Sequence, residues 1–320
     1  MSSTLQKPEL GLWREGNTGT EGVWSFDSGK PGRHLMLSAL IHGNELCGAW
    51  ALLGLLERGL RPQRGRLTLA LCNLAAFDRF DAANHDAARF VDEDLNRQWS
   101  AERLAAPTSG ERRRAAALRP FVEAADWLLD LHSMHEPSAP LLLTGLQPRN
   151  LALARGLKGA AAIVIDAGHA DGVRMRDFGR FGMADEQAPE TRSLLLECGY
   201  HLDPGSRGVA EDYCARLLAA AGVVDEAELA RLLPGWRRPD AAQPAPALRV
   251  RGAVVARSER FRFNAAFTGL ECIAKAGTVI GDNDGEPVTT PFDDCVLVMP
   301  STRQARAGVT VVRFGARVPD

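Results

Sequence analysis

The stretch Leu35–Ala51, LMLSALIHGNELCGAWA, combines a strand, a turn and a helix. Its first seven residues form an apolar run typical of a buried strand, and its end begins an apolar helix that should reach about Glu57. Between them lies HGNE, residues 42–45, and packing of the core does not require these four residue types. In α/β sheets, ligands bind at the carboxyl ends of the strands. We therefore expect His42 and Glu45 to be two ligands of a catalytic zinc ion.

A catalytic zinc site takes three protein ligands and keeps one position for water. His132 is the best candidate for the third ligand, because it ends an apolar run that begins at Trp127. His42 ends such a run as well, so both side chains would point from the same edge of a parallel sheet. His135 is the alternative ligand. A His-x-x-Glu pattern is weak by itself, since a histidine near a strand end is more often structural.

Glu197 directly follows the apolar run Leu194–Leu196 at a predicted strand end. Beside a zinc ion, its carboxylate could take a proton from the metal-bound water and pass it to the leaving nitrogen. The alternative is a structural glutamate paired with one of the many arginines.

The segment RFVDEDLNR, residues 89–97, contains a third polar group. A guanidinium binds a carboxylate through two hydrogen bonds, so Arg97 with Asn96 could form a carboxylate clamp. Arg89 could belong to this clamp, or it could stabilise the oxyanion of a reacting carbonyl. The alternative is a solvated charge cluster with the acidic residues 92–94.

The overall composition indicates an ordinary globular protein. The 320 residues are 45% hydrophobic and 24% charged, and a chain of this length predicts two domains. The net charge of −2 gives no indication of binding to nucleic acid or to an anionic membrane. The amino terminus lacks a signal-peptide core, and the six scattered cysteines form no Cys-x-x-Cys pair. We expect a cytoplasmic protein with free thiols and no membrane segment.

Strands alternating with helices over residues 1–235 predict an α/β catalytic domain. Residues 236–247 are rich in Pro and Ala and predict a linker, and the short β-like runs of residues 248–320 predict a small all-β domain. In the first domain the predicted strands are 22–27, 34–41, 66–72, 127–131, 141–144, 160–165 and 194–196, and the predicted helices are 46–57, 102–123, 209–220 and 226–233.

Four motifs in one order, HGNE, RFVDEDLNR, DLH and LLLECG, resemble the aspartoacylase and succinylglutamate desuccinylase family. The resemblance covers residues 34–200, and the tail from about residue 248 looks like the C-terminal domain of that family. It implies a zinc carboxypeptidase-like mixed sheet flanked by helices, with a small C-terminal all-β domain.

The resemblance also implies a role for each candidate residue. His42, Glu45 and His132 would bind one zinc ion per chain, with Asp94 and Asp130 as supporting residues behind the ligands.

For catalysis, the resemblance implies that Glu197 is the base that activates water and that Arg89 polarises the scissile carbonyl. Asn96 and Arg97 would bind the carboxylate of the substrate.

The chain departs from the family pattern at Gln187, where aspartoacylases carry an arginine ten residues before the catalytic glutamate. Arg174, Arg176, Arg180 or Arg192 could replace it. The Gly- and Arg-rich residues 168–190 should form a loop over the site and set specificity. Arg176 and His169 are therefore our substrate-binding candidates in this loop, although a structural role for His169 is equally open.

We expect a zinc-dependent hydrolase that cleaves an N-acyl amide bond of a small carboxylate-bearing substrate. A zinc carboxypeptidase or esterase is the first alternative, and an open groove would favour it. A non-catalytic metal- or ligand-binding protein is the second, and a Glu197 turned towards an arginine would favour it. The sequence leaves a homo-oligomer open and names neither the acyl group nor the amine.

Overall fold

The computed structural model describes residues 4–159 and 161–319, and within them a large mixed sheet is flanked by helices. The strands are β1 Val23–Asp27, β2 His34–Ala39, β3 Arg66–Leu71, β4 Trp127–Met134, β5 Leu141–Leu143, β6 Ala162–Ile165, β7 Arg192–Tyr200, β8 Ala247–Val255, β9 Arg262–Phe263, β10 Cys272–Ile273, β11 Val279–Asn283, β12 Glu286–Thr289, β13 Cys295–Val298 and β14 Thr310–Arg317. The helices are α1 Leu46–Glu57, α2 Leu74–Asp78, α3 Ala101–Ala105, α4 Gly110–Ala124, α5 Pro148–Gly156, α6 Pro204–Ala220 and α7 Glu226–Leu232.

The large sheet has the strand order β1-β3-β2-β4-β7-β5-β6-β8-β14-β13-β10. Its central neighbours β2, β4 and β7 are parallel, so their carboxyl ends lie at one edge of the sheet. A second, antiparallel sheet has the order β12-β11-β9 and comes wholly from the C-terminal part. The predicted mixed α/β fold with a small C-terminal β region is confirmed.

Both faces of the central strands are covered, which explains why β2 reads as an unbroken apolar run. Leu35 and Leu37 pack into a core shared with α1 and α6. Met36 points to the other face, into a core shared with Ala115 and Leu118 of α4.

Most predicted elements are present, with differences at their ends. The sequence of helix 102–123 leaves a break near Pro107 open, and the structure has this break, with α3 before it and α4 after it. The predicted strand 127–131 continues to Met134, so His132 lies inside β4. Helix α6 begins at Pro204, five residues before the predicted start, because Asp203 caps it and proline favours the first turn.

Helices α2 and α5 were not predicted. Both are short, with five and nine residues, and a short segment gives a weak periodic signal. The predicted strand 160–165 is observed as β6, and its first residue lies outside the described residues. No described helix is both long and apolar enough to cross a membrane.

The large sheet continues past the predicted linker 236–247. Strand β8 pairs in parallel with β6, with Ile163 opposite Ala247, and β14 then pairs with β8. This pairing covers the edge of β6, which would otherwise expose unpaired backbone groups. The C-terminal strands therefore extend the same sheet as the central strands, while the division into domains 1–235 and 248–320 stays a prediction.

Helix α1 packs closely on the sheet at Gly48. A Cβ atom at this position would lie 2.8 Å from the Cβ atoms of both Ala39 and Leu131, closer than side chains tolerate. We expect Gly48→Ala to force α1 away from β2 and β4 and to lower the free energy of unfolding by about 1–3 kcal/mol. Urea denaturation would measure the change.

Gly156→Ala is the matched control, because Gly156 is also helical and an added Cβ meets nothing within 4 Å. It should be neutral or stabilise by up to about 1 kcal/mol. Equal effects of the two substitutions would contradict the close packing of α1.

Candidate active site

The HGNE turn follows β2 and fits tightly against the neighbouring chain. A Cβ atom on Gly43 would lie 2.3 Å from backbone atoms of Ala76 and Phe77, so glycine is required there. The Gly43 backbone N–H donates to the Arg89 carbonyl at 3.2 Å. The turn is therefore fixed directly beside the segment that carries Arg89.

His42, Glu45 and His132 meet at the carboxyl ends of β2 and β4. Nδ1 of His42 lies 2.9 Å from Glu45 Oε1, and Nδ1 of His132 lies 2.8 Å from Glu45 Oε2. Each of the three residues is at most 2% exposed. One ligand atom from each lies within 4.8 Å of the others, so the three side chains could hold one metal ion.

The hydrogen bonds around these residues fit a metal ion. Nε2 of His132 lies 2.8 Å from Asp130 Oδ2, and Nε2 of His42 lies 3.0 Å from Asp94 Oδ1. A carboxylate accepts a proton from Nε2, which leaves the lone pair on Nδ1, the usual arrangement of metal-binding histidines. Glu45 Oε2 is buried and accepts no well-formed hydrogen bond from the described residues.

Charge at this centre also favours a cation. Burial alone would raise the pKa of Glu45, but His42 and His132 hold it well below its usual range. Burial would lower the pKa of His132, but Asp130 and Glu45 raise it well above its usual range. The carboxylates that favour a proton on His132 favour a metal ion in the same place.

Glu197 lies on β7 opposite His132 of β4 in the strand register. Burial raises its pKa to about 8. Its Oε2 atom is buried and has no hydrogen-bond partner among the described residues. The carboxylate is therefore available to a water or ligand beside the three metal-binding candidates.

Arg89 is connected to the same centre through Asp94. Its Nη2 donates to Asp94 Oδ2 at 2.9 Å, and the other oxygen of Asp94 contacts His42. Nη1 of Arg89 lies 3.2 Å from His135 Nε2. His135 thus contacts Arg89 and not Glu45, and the structure favours His132 over His135 as the third ligand.

Asn96, Arg97 and His169 lie together on another wall of the cavity. Asn96 Oδ1 accepts a hydrogen bond from the Met175 backbone at 3.0 Å, which ties the 168–190 loop to the site. Nη2 of Arg97 donates to His169 Nδ1 at 3.1 Å, and Nη2 of Arg313 lies 3.0 Å from His169 Nε2. Burial and the neighbouring arginines hold the pKa of His169 far below its usual range, so the ring is neutral.

The expectation that Arg176 binds substrate needs correction. Its side chain is fully buried, and Nη2 donates to the Thr144 carbonyl at 2.9 Å and to Ser193 Oγ at 2.8 Å. These bonds hold the end of β5 against β7, outside the cavity lining. Of the four arginines proposed to replace the family residue at Gln187, Arg174 lines the cavity.

The cavity has a volume of about 220 Å³ and is covered on one side by the C-terminal part. Arg313 was missed by the sequence reasoning, although a lone arginine in the apolar run VVRF of β14 is a signal that could have found it. The polar and charged residues that line the cavity include His42, Glu45, Arg89, Asp94, Asn96, Arg97, His132, His135, His169, Arg174, Glu197 and Arg313.

Comparison with known proteins identifies the family of the chain. The family described as "Succinylglutamate desuccinylase/Aspartoacylase catalytic domain" matches residues 31–200, more than half of the chain. The chain belongs to this family. Its members are amide hydrolases.

A succinylglutamate desuccinylase of Paraburkholderia xenovorans is 36% identical over 121 residues, which is 33% of each chain. The match therefore spans a third of that relative's length.

Solved structures share the fold over nearly the whole chain. The succinylglutamate desuccinylase of Vibrio parahaemolyticus matches with a TM-score of 0.66 and 16% identity, covering 93% of this chain and 87% of its own. The ectoine utilization protein EutE of Ruegeria pomeroyi matches with a TM-score of 0.61 and 16% identity, covering 90% and 86%. At these identities the likeness shows the fold alone.

The contact between Asp130 and His132 generates a prediction about metal binding. Asp130→Asn should weaken the affinity for a divalent metal by about 10- to 100-fold, because a neutral amide orients and polarises the imidazole less well. His132→Ala should remove the metal. Competition with a chelator and elemental analysis would measure affinity and stoichiometry.

Asp171→Asn is the matched control, since Asp171 lies on the cavity wall and pairs with Arg97 instead of a ligand histidine. Its metal affinity should equal that of the wild type. Full metal content in His132→Ala would rule out this ligand set.

Proposed function

We propose that the protein is a zinc-dependent hydrolase that cleaves the N-acyl amide bond of a small carboxylate-bearing substrate. The observation that carries this proposal is one cavity containing His42, Glu45, His132, Arg89 and a Glu197 whose Oε2 atom has no hydrogen-bond partner among the described residues. Membership of a family of amide hydrolases supports the same reaction class. We infer a single zinc ion per chain and a cytoplasmic location.

A zinc ion held by His42, Glu45 and His132 would supply Lewis acidity, which lowers the pKa of water and polarises a carbonyl. Glu197 Oε2 would take the proton of the attacking water and deliver it to the leaving nitrogen. The guanidinium of Arg89 would donate to the carbonyl oxygen as negative charge develops on it. The products are a carboxylic acid and an amine.

We assign the substrate carboxylate to Arg97 and Asn96. The Arg97 side chain is 14% exposed and lines the cavity, where its nearest counter-ion, Asp171 at 3.1 Å, is itself 62% exposed, and Asp94 lies farther away at 3.8 Å. His169 gives Arg97 only a neutral partner, and an anionic group would be a stronger acceptor. His169 and Arg174 would complete the wall that surrounds this end of the substrate.

Two observations weigh against the alternatives. A carboxypeptidase needs room for a longer chain, whereas a covered cavity of about 220 Å³ is below the range of about 300–1,000 Å³ usual for drug-sized ligands. A catalytic role accounts for the buried Glu197 oxygen that has no partner among the described residues, since an unpaired buried polar atom is costly.

A panel of N-acetyl, N-succinyl and related acyl amino acids tests the proposal directly. Zinc-loaded protein should release amine from at least one of them, and a chelator should abolish the release until zinc is restored. Release that persists in the chelator would overturn zinc dependence, and no release from any substrate would overturn the reaction class.

Glu197→Gln should lower kcat by at least about 100-fold, because the amide cannot accept the proton of the attacking water. Zinc content should stay at one per chain, since Glu197 is not among the ligands. Steady-state kinetics and elemental analysis would measure both. Glu136→Gln is the matched control, as Glu136 also lines the cavity but pairs with Arg303 at 2.9 Å, and it should keep near-normal turnover.

Arg97→Ala should raise KM by about 10- to 100-fold, the effect of losing a hydrogen bond between charged groups, with a smaller change in kcat. Arg180→Ala, at an exposed arginine outside the cavity lining, should leave both constants unchanged. An unchanged KM in Arg97→Ala would place the carboxylate site elsewhere.

A further inference from the structure

Next to the candidate metal centre lies a second cluster formed by Asp86, His135 and His201. One ligand-type atom from each lies within 4.8 Å of the others, as in the first centre. The cluster has two interpretations: a second metal site, or a hydrogen-bonded support for Arg89, which contacts His135. The directions of the hydrogen bonds distinguish them.

Arg89 decides which nitrogen of His135 carries the proton. A guanidinium can only donate, so Nε2 of His135, 3.2 Å from Arg89 Nη1, must accept. The proton of the neutral ring is then on Nδ1, which lies 3.0 Å from Asp86 Oδ1 and donates to it. Nδ1 is the His135 atom nearest both other members of the cluster, and with its proton it has no lone pair for a metal.

The first centre has the opposite arrangement. Nε2 of His42 and of His132 each face a carboxylate, which leaves Nδ1 free to bind a metal. In the second cluster Nε2 of His135 faces a cation. Two histidines and a carboxylate are therefore arranged for a metal in one cluster and for hydrogen bonding in the other.

The remaining neighbours of His135 agree with this proton position. Nε2 of His201 lies 3.3 Å from His135 Nδ1, so it accepts from the shared N–H. Nδ1 of His201 then donates to Ser133 Oγ at 2.7 Å. Arg303 lies 3.7 Å from the second oxygen of Asp86, so that carboxylate has a cationic partner on the side away from His135.

We propose that His135 is a positioning residue that holds the Arg89 guanidinium at Nη1 while Asp94 holds it at Nη2. Hydrogen bonds at both terminal nitrogens fix the plane of a guanidinium, whereas a hydrogen bond at one nitrogen leaves the group free to rotate. Nη1 and Nη2 each have a second N–H, which remains for the substrate carbonyl. The catalytic consequence rests on the role of Arg89 in the proposed function, but the contact itself does not.

Two substitutions separate the two contacts of His135. The amide of His135→Gln reaches the place of Nε2, so its oxygen can still accept from Arg89. The amide of His135→Asn reaches only the place of Nδ1, so it keeps the contact with Asp86 and loses the one with Arg89. We expect His135→Asn to lower kcat by about 10- to 100-fold with KM within about twofold, because a misplaced catalytic group costs rate rather than binding.

His135→Gln should restore kcat to within about threefold of the wild type. In an Arg89→Lys background, His135→Asn should cause little further loss, since the two residues act as one unit. Equal kcat values for His135→Asn and His135→Gln, or fully additive losses with Arg89→Lys, would overturn the proposal. If His135→Asn fails to fold, Asp86→Asn replaces it as the test variant. Asp86→Asn should lower kcat and leave KM unchanged.

Two measurements do not need turnover. Nitrogen-15 NMR of labelled histidine should show the Nδ1–H tautomer for His135, and an Nε2–H tautomer would overturn the proposal. Zinc titration should saturate at one equivalent. A second equivalent that disappears in His201→Ala would establish the metal-site interpretation instead. If the wild type releases no amine, the proposed function fails, while the tautomer still decides the role of His135.

Discussion

The structure of the site depends on one carboxylate, Glu45, placed between two imidazoles. Its two oxygens lie 2.9 Å from His42 and 2.8 Å from His132, and all three side chains are buried. Buried ionisable groups are costly unless each has a partner of suitable charge. This cost explains why Asp130 and Asp94 contact the other ring nitrogen of each histidine. The three side chains can meet only because the parallel strands β2 and β4 end at the same edge of the sheet.

Asp94 connects the candidate metal ligand His42 to Arg89, the proposed carbonyl-binding group. One of its oxygens contacts His42 and the other contacts Arg89, so a single carboxylate orients both a ligand and the proposed carbonyl-binding group. A shift of the segment around Asp94 would therefore disturb both functions together. The bond from Gly43 to the Arg89 carbonyl holds the same two segments together through the backbone.

A second wall of the cavity is built from distant parts of the chain. Arg97 follows α2, His169 and Arg174 come from the loop before β7, and Arg313 comes from β14. Strand β14 reaches the site because β8 pairs with β6 and extends the sheet. The cover of the cavity by the C-terminal part is thus a consequence of sheet continuity.

The sequence by itself determined the α/β pattern, the HGNE turn and the order of the four motifs, because each depends on residues close together in the chain. It favoured His132 with His135 as the alternative, and it could not choose among the arginines of the 168–190 loop. Those choices depend on where β4 ends and which side chains face the cavity. Only the tertiary structure shows these contacts, because it brings Glu45 beside His132 and Asp86 and Arg89 beside His135.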